Sequence, residues 1–284
     1  MSNARLAPDF LFEASWEVCN KVGGIHTVIS TKAQTVTRKF GDRYILIGPD
    51  LSHEGTNPEF EEDQTLLKAW RQAVYSEGLR IRIGRCKIKG EPLAVLVDFT
   101  SLIPRKDEIL TKLWESYHVD SLSGQWDYIE PVLFGYAAGT VIASYVKTFC
   151  SSTEKIVAHF HEWMSAAGGL YLRKYAPYVA TVFTTHATVM GRCIAGNRLP
   201  LYSDLAKFNA DELARQFNVT AKHSIEKTAA ANHDAFLTVS DITANECKFL
   251  LGREPDGITP NGFENDFVWT GEEYYAKRDE ARKA

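Results

Sequence analysis

Three apolar or β-branched runs in this chain end on acidic or imidazole side chains, and that placement constrains the fold more than any other feature. Phe10-Leu11-Phe12 runs into Glu13, ahead of Lys21-Val22-Gly23-Gly24. Ile156-Val157-Ala158-His159-Phe160 runs into His161-Glu162-Trp163, and Val179 to Thr185 runs into His186-Ala187-Thr188. Such runs read as strands, and the longer periodic segments between them read as helices. That alternation makes βαβ units and a parallel sheet. Ligands of open parallel sheets bind outside the carboxyl ends of the strands. The three polar clusters are therefore expected to share one site.

Further elements follow from the same patterns. Ile25 to Phe40 has apolar residues at helical spacing and stops at Gly41, and Tyr44 to Pro49 is the next strand. Leu79 to Ile88 and Leu93 to Phe99 alternate about Lys89-Gly90-Glu91-Pro92 and read as a hairpin. Helices are expected near Tyr128 to Phe149 and Met164 to Tyr175, with one long amphipathic helix from Asp211 to Asn232. Ala235 to Val239 is a last strand, capped into a helix by Ser240 or Asp241. The acidic stretch Pro58 to Asp63 reads as a solvated loop, with Val119–Asp127 and Leu199–Asn209 as long loops. Gly257 to Gly262 reads as a linker, followed by the polar tail Gly271 to Ala284. Ser2-Asn3-Ala4 resembles a vector remnant. The expected division is residues 1–8 as tag or disordered terminus, 9–262 as one domain, and 263–284 as a hinge and the start of a second domain.

Bulk properties narrow the partners. At 284 residues with 45% hydrophobic and 24% charged content, the chain can build a large core. Its net charge of -4 and lack of a Lys/Arg-rich run give no footprint for nucleic acid or an anionic membrane. Val132 to Val146 is apolar but shorter than the ~20 residues of a spanning helix. Five scattered cysteines, none in a C-x-x-C pair, argue for a reducing compartment, and no basic-then-apolar leader is present, so a cytoplasmic protein is expected.

Each cluster has a bland and a functional reading. Gly23-Gly24 between strand and helix is a tight turn or, with Lys21 beside it, a phosphate-binding helix start. No G-x-G-x-x-G dinucleotide fingerprint is present. His159 and His161 share one face of a strand, but no third ligand at suitable spacing is evident, so no metal is expected. His159 reads as structural. His161, Glu162 and Trp163 offer the hydrogen bonds and stacking face that a sugar needs. Arg192, past His186, could meet a phosphate through two parallel bonds. There is no G-x-S-x-G elbow and no Cys/His pair with a local signature, which disfavours a covalent hydrolase.

Taken in order, Phe12-Glu13-Ala14, Lys21-Val22-Gly23-Gly24-Ile25, His159 to Trp163, Phe183 to Thr188 with Gly191-Arg192, Phe236 to Ser240 with Ile242-Thr243-Ala244, and Pro260-Asn261-Gly262 closely resemble the glycogen synthase family of the animal and fungal type (glycosyltransferase family three). The resemblance runs from about Asp9 to Gly262. It implies an α/β fold: a Rossmann-like parallel sheet with flanking helices, the N-terminal half of a GT-B glycosyltransferase. It implies retaining transfer of glucose from UDP-glucose, or ADP-glucose in a bacterial version, to the non-reducing 4-hydroxyl of an α-1,4-glucan. The partners are then a nucleotide sugar and a glycogen or maltooligosaccharide acceptor, with no cofactor beyond the donor substrate.

Carried over residue by residue, His186 matches the active-site histidine near the donor glucose. Lys21, Gly23, Gly24 and Arg192 match donor-binding positions. Glu13, His161, Glu162 and Trp163 fall on the acceptor side. The first strand starts near Asp9, so the phosphorylated N-terminal extension of animal members is expected to be absent. The family's second domain supplies an arginine and a lysine for the leaving diphosphate, and a glutamate; none can be placed in Gly262 to Ala284. The segment alone is therefore expected to be inactive, and its exposed half-cleft favours a homo-oligomer. The competing readings are another GT-B transferase, such as a sucrose or trehalose-phosphate synthase, and a non-catalytic glucan-binding module resting on Trp16 and Trp163. A nicotinamide oxidoreductase, which the absent G-x-G-x-x-G speaks against, and a metal hydrolase built on His159 and His161 are two more, and all four rank below the synthase reading.

Overall fold

The computed structural model describes residues 7–52, 57–262 and 269–283. The Ser2-Asn3-Ala4 stretch and residues 263–268 of the expected hinge lie outside them. The first half contains β1 (Phe10–Ala14), α1 (Gly24–Phe40), β2 (Tyr44–Pro49), β3 (Phe60–Glu62), α2 (Lys68–Ser76), β4 (Arg80–Cys86) and β5 (Leu93–Asp98). Then come α3 (Lys106–Tyr117), α4 (Trp126–Phe149), β6 (Ile156–His161), α5 (Glu162–Tyr175), β7 (Ala180–Thr185) and α6 (Val189–Gly196). The last group is α7 (Ala210–Gln216), α8 (Thr220–Asn232), β8 (Ala235–Thr238), α9 (Asp241–Glu246), β9 (Gly257–Ile258) and α10 (Gly271–Ala281).

Among the described residues one nine-stranded sheet forms, in the order β3-β4-β5-β2-β1-β6-β7-β8-β9. All neighbours pair parallel except β3 with β4 and β4 with β5. The chain winds outward from β1 to β2, then returns to lay β6 on the other side of β1. That reversal is a topological switch point, where a crevice opens at the carboxyl ends of the strands.

The two faces of the sheet can be read along β2. Tyr44 and Leu46 pack with Ile25 and Ile29 of α1, while Ile45 and Ile47 face the larger core built on α4. Among the described residues α4 is the one helix long and apolar enough to cross a membrane. It runs 24 residues, well past the apolar stretch seen in the sequence, and most of it is buried against α5 and the sheet.

Three expectations need correction. The acidic stretch is not a free loop: Phe60 is buried, Phe60–Glu62 pairs with β4, and Arg71 and Arg82 hold Glu62 at 3.4 and 2.8 Å. The long helix over Asp211–Asn232 is two helices, broken where Asn218 takes a left-handed φ of 56°. Asparagine adopts that conformation readily and ends helices by it. Gly257-Ile258 is not part of a free linker, because it adds β9 to the sheet beside Leu237 and Thr238. The polar tail, as expected, joins no strand among the described residues; it carries the helix α10, none of whose described residues is buried.

Candidate active site

The crevice at the switch point collects the three strand ends. β1 delivers Glu13, β6 delivers His159 and His161, and β7 leads into His186. Registry places Glu13 beside His159 and His161 beside Thr184. Glu13 is 1% exposed, below the floor of the crevice. Its Oε2 accepts the Tyr44 hydroxyl at 2.5 Å, and its Oε1 lies 2.5 Å from Lys32 Nζ and 2.6 Å from His161 Nε2. Burial pushes its carboxyl up, but the Lys32 ammonium and the His161 bond outweigh burial and hold it well below the usual range.

The imidazoles behave oppositely. Burial pushes His161 down despite the pull of Glu13, and burial with the neighbouring His161 pushes His159 well down. His186, whose Nε2 is 3.0 Å from His161 Nδ1, is brought to about 3 by burial, then His161 and Lys32. The cluster is one anion, one cation and three neutral rings at neutral pH.

Glu162 opens α5 directly after β6 with no intervening loop, at a left-handed φ of 63°. A non-glycine residue there is strained, and such strain gathers at functional positions. The turn aims its buried carboxylate at the next strand end, where Oε1 accepts the N–H of His186 at 2.8 Å and of Ala187 at 3.3 Å. Arg192 Nη2 is 3.9 Å away, on a side chain that is 66% exposed. Two more buried carboxyls hold the same loop: Glu226 takes the Val189 N–H, and Glu246 takes the Thr188 hydroxyl.

The glycine loop forms the opposite wall. Gly23 caps α1 and Gly24 begins it. Glu17, which the sequence did not single out, accepts the His26 N–H at 2.8 Å, and a Cβ on Gly23 would lie 2.8 Å from its Oε1. One carboxylate thus occupies part of the helix start where an anion was expected. Lys21 is exposed and makes no hydrogen bond or ion pair among the described residues.

The crevice has two lobes that share Val28, His186 and Asn261. One, of about 330 Å³, includes Lys32, His159, His161, Thr184 and Gly262. The other, of about 430 Å³, includes Glu17, Gly23, Gly24, Glu162, Trp163 and Arg192. Expected residues His186, Gly23, Gly24, Arg192, His161, Glu162 and Trp163 thus converge, whereas Glu13 lies beneath and Lys21 outside. Lys32 was missed, although its i+4 relation to Val28 puts both on one helix face. Trp163 stacks on Tyr128 at 6.0 Å with Lys222 over its ring. Trp16, on which the competing glucan-binding reading rests in part, packs edge-on against Phe134 of the core.

Glu13, His159 and His161 bring ligand atoms within 4.8 Å of one another, so the third ligand that spacing did not reveal comes from β1. In this arrangement Lys32 and Tyr44 already hold the Glu13 oxygens, and Thr184 Oγ1 lies 2.7 Å from His159 Nε2.

A crevice at the switch point of a parallel-dominated, Rossmann-like sheet is the arrangement found in one half of a GT-B fold. The sucrose-phosphate synthase of Thermosynechococcus elongatus shares it, with a TM-score of 0.53 at 13% identity, over 95% of this chain and 52% of that one. Sequence comparison narrows this further. The glycogen synthase profile matches residues 13–273. The glycogen (starch) synthase of Neurospora crassa is 38% identical over 256 residues, 89% of this chain, and the human liver glycogen (starch) synthase is 36% identical over 257 residues, also 89%. The Caenorhabditis elegans glycogen (starch) synthase is 34% identical over 92% of the chain. The chain belongs to the glycogen synthase family. It spans 36% of the length of the Neurospora and human relatives.

Proposed function

We propose that this chain is the acceptor-side half of a glycogen synthase, which transfers glucose from a nucleotide sugar to the 4-hydroxyl at the non-reducing end of an α-1,4-glucan with retention. The observation that carries the proposal is the convergence of the glycine loop, the His161–His186 pair and Arg192 on one crevice, in a chain of this family. The donor is UDP-glucose, with ADP-glucose as the variant to test. No metal or cofactor is assigned. The five free cysteines suit a reducing, cytoplasmic setting.

In this proposal departure of the diphosphate builds negative charge, and fixed N–H groups and cations stabilise it. The Gly23-Gly24 turn, Arg192 and Lys21, which can swing in from the surface, serve that end. His186 holds the glucose. Trp163 offers the glucan an apolar ring edge, while Glu13, from beneath the crevice, fixes His161 and Glu162, on its wall, fixes the His186 backbone. Residues 9–262 form the first domain, and the opposite wall of the cleft comes from a second domain entered after residue 262.

Glucose incorporation into glycogen by a full-length protein carrying this segment, with UDP-glucose and ADP-glucose offered in parallel, tests the reading. Incorporation from either donor is expected and names the nucleotide. No incorporation from either would move the assignment to another acceptor or to a glucan-binding role.

A further inference from the structure

The hydrogen-bond chain that begins at Glu13 has a direction, and that direction decides what His186 presents to the crevice. An ionised carboxylate only accepts hydrogen bonds. Glu13 receives Tyr44 at one oxygen and Lys32 and His161 at the other, so the proton of His161 is on Nε2, 2.6 Å away. A neutral imidazole carries one ring proton, which leaves His161 Nδ1 a bare lone pair. The atom 3.0 Å from that lone pair is His186 Nε2, and one of the two must donate. Only His186 can. Its single proton is then used, and its Nδ1 is bare as well. That Nδ1 makes no hydrogen bond among the described residues, while the ring borders both lobes of the crevice.

We propose that Glu13 is a positioning residue which, through His161, locks His186 in the Nε2–H tautomer, so that His186 Nδ1 meets the ligand only as a hydrogen-bond acceptor. The group that fits it is a donor, a neutral sugar hydroxyl. Phosphate and carboxylate oxygens are acceptors and would face a lone pair there, so the charged end of a nucleotide sugar is turned toward Arg192 and the glycine loop. The opposite wiring would require a protonated, uncharged Glu13 or a His161 imidazolium. The Lys32 contact opposes the first and burial opposes the second. Identifying the ligand as a sugar rests on the proposed function; the wiring does not.

The tautomer can be read without any substrate, so its failure is distinguishable from failure of the synthase assignment. Ring-nitrogen NMR of the chain labelled with ¹⁵N-histidine separates bare from protonated nitrogens, and the signal lost in His186→Asn assigns that ring. The expected spectrum shows His186 as a single form, protonated at Nε2 and bare at Nδ1. Glu13→Ala is expected to abolish that single form at His186, with the signals of His223 and His233, on other elements, unchanged. His161→Leu should do the same if Glu13→Ala does not fold. A wild-type His186 that carries its proton on Nδ1, or populates both forms, overturns the proposal. So does a folded Glu13→Ala or His161→Leu variant in which the His186 form is unchanged.

Discussion

Glu226 carries a carboxyl whose surroundings leave no room for its charge. It is fully buried; burial first, and the nearby Glu162 second, push its pKa from 4.5 up to about 8. A raised carboxyl binds its proton more tightly in the folded state. Its contribution to stability is therefore fully present below the unfolded value of 4.5 and is lost as pH rises toward about 8. Glu226→Gln keeps the shape and an oxygen for the Val189 N–H, and should remove this loss. At about pH 8 the variant should be more stable by on the order of 2–4 kcal/mol, and near pH 5 by much less. Denaturant unfolding at the two pH values checks this; equal pH slopes for both proteins would contradict it. At this scale the sequence showed the strand-end histidines, because local order carries them. It did not show Glu17 or Lys32 as site residues, nor that Glu13 lies beneath the crevice rather than on its wall. Those depend on which side chains meet across the switch point.

Among elements, the crossing of α4 with α5 is the tightest constraint. A Cβ on Gly168 would lie 2.5 Å from Phe160 Cε1 and 2.6 Å from the Gly135 carbonyl oxygen, and one on Gly139 would lie 2.5 Å from the Gly168 carbonyl oxygen. Backbone meets backbone there, so neither helix can yield without lifting off the sheet. Gly168→Ala should destabilise by roughly 1–3 kcal/mol through overpacking, more than the helix-propensity gain of up to about 1 kcal/mol returns. A lower urea midpoint at unchanged slope would show it; an unchanged or higher midpoint would contradict it. Strong periodicities such as β2, the β4–β5 hairpin and α1 were legible to within a residue or two. The break at Asn218 was not, because the apolar pattern continues through it and only the left-handed turn reveals it. β3 was hidden in an acidic run whose charge is matched by Arg71 and Arg82, distant in sequence.

In the proposed synthase this chain supplies one wall of the cleft between two domains. Positioning two reactants can be worth ~7–11 kcal/mol of barrier, and one wall cannot supply it. The isolated chain should therefore fold yet show no detectable glucose transfer under conditions where a full-length protein turns over; clear turnover by the isolated chain would contradict that. The parallel order and the family were readable from spaced motifs. The depth at which each site residue sits was not, since that is set by the sheet. The most direct test compares His186→Ala with the unmodified full-length protein for glucose incorporation into glycogen. A fall of about 10²-fold or more is expected, since a misplaced reacting group alone costs that much. Incorporation at the unmodified rate would contradict the claim that this crevice is the active site.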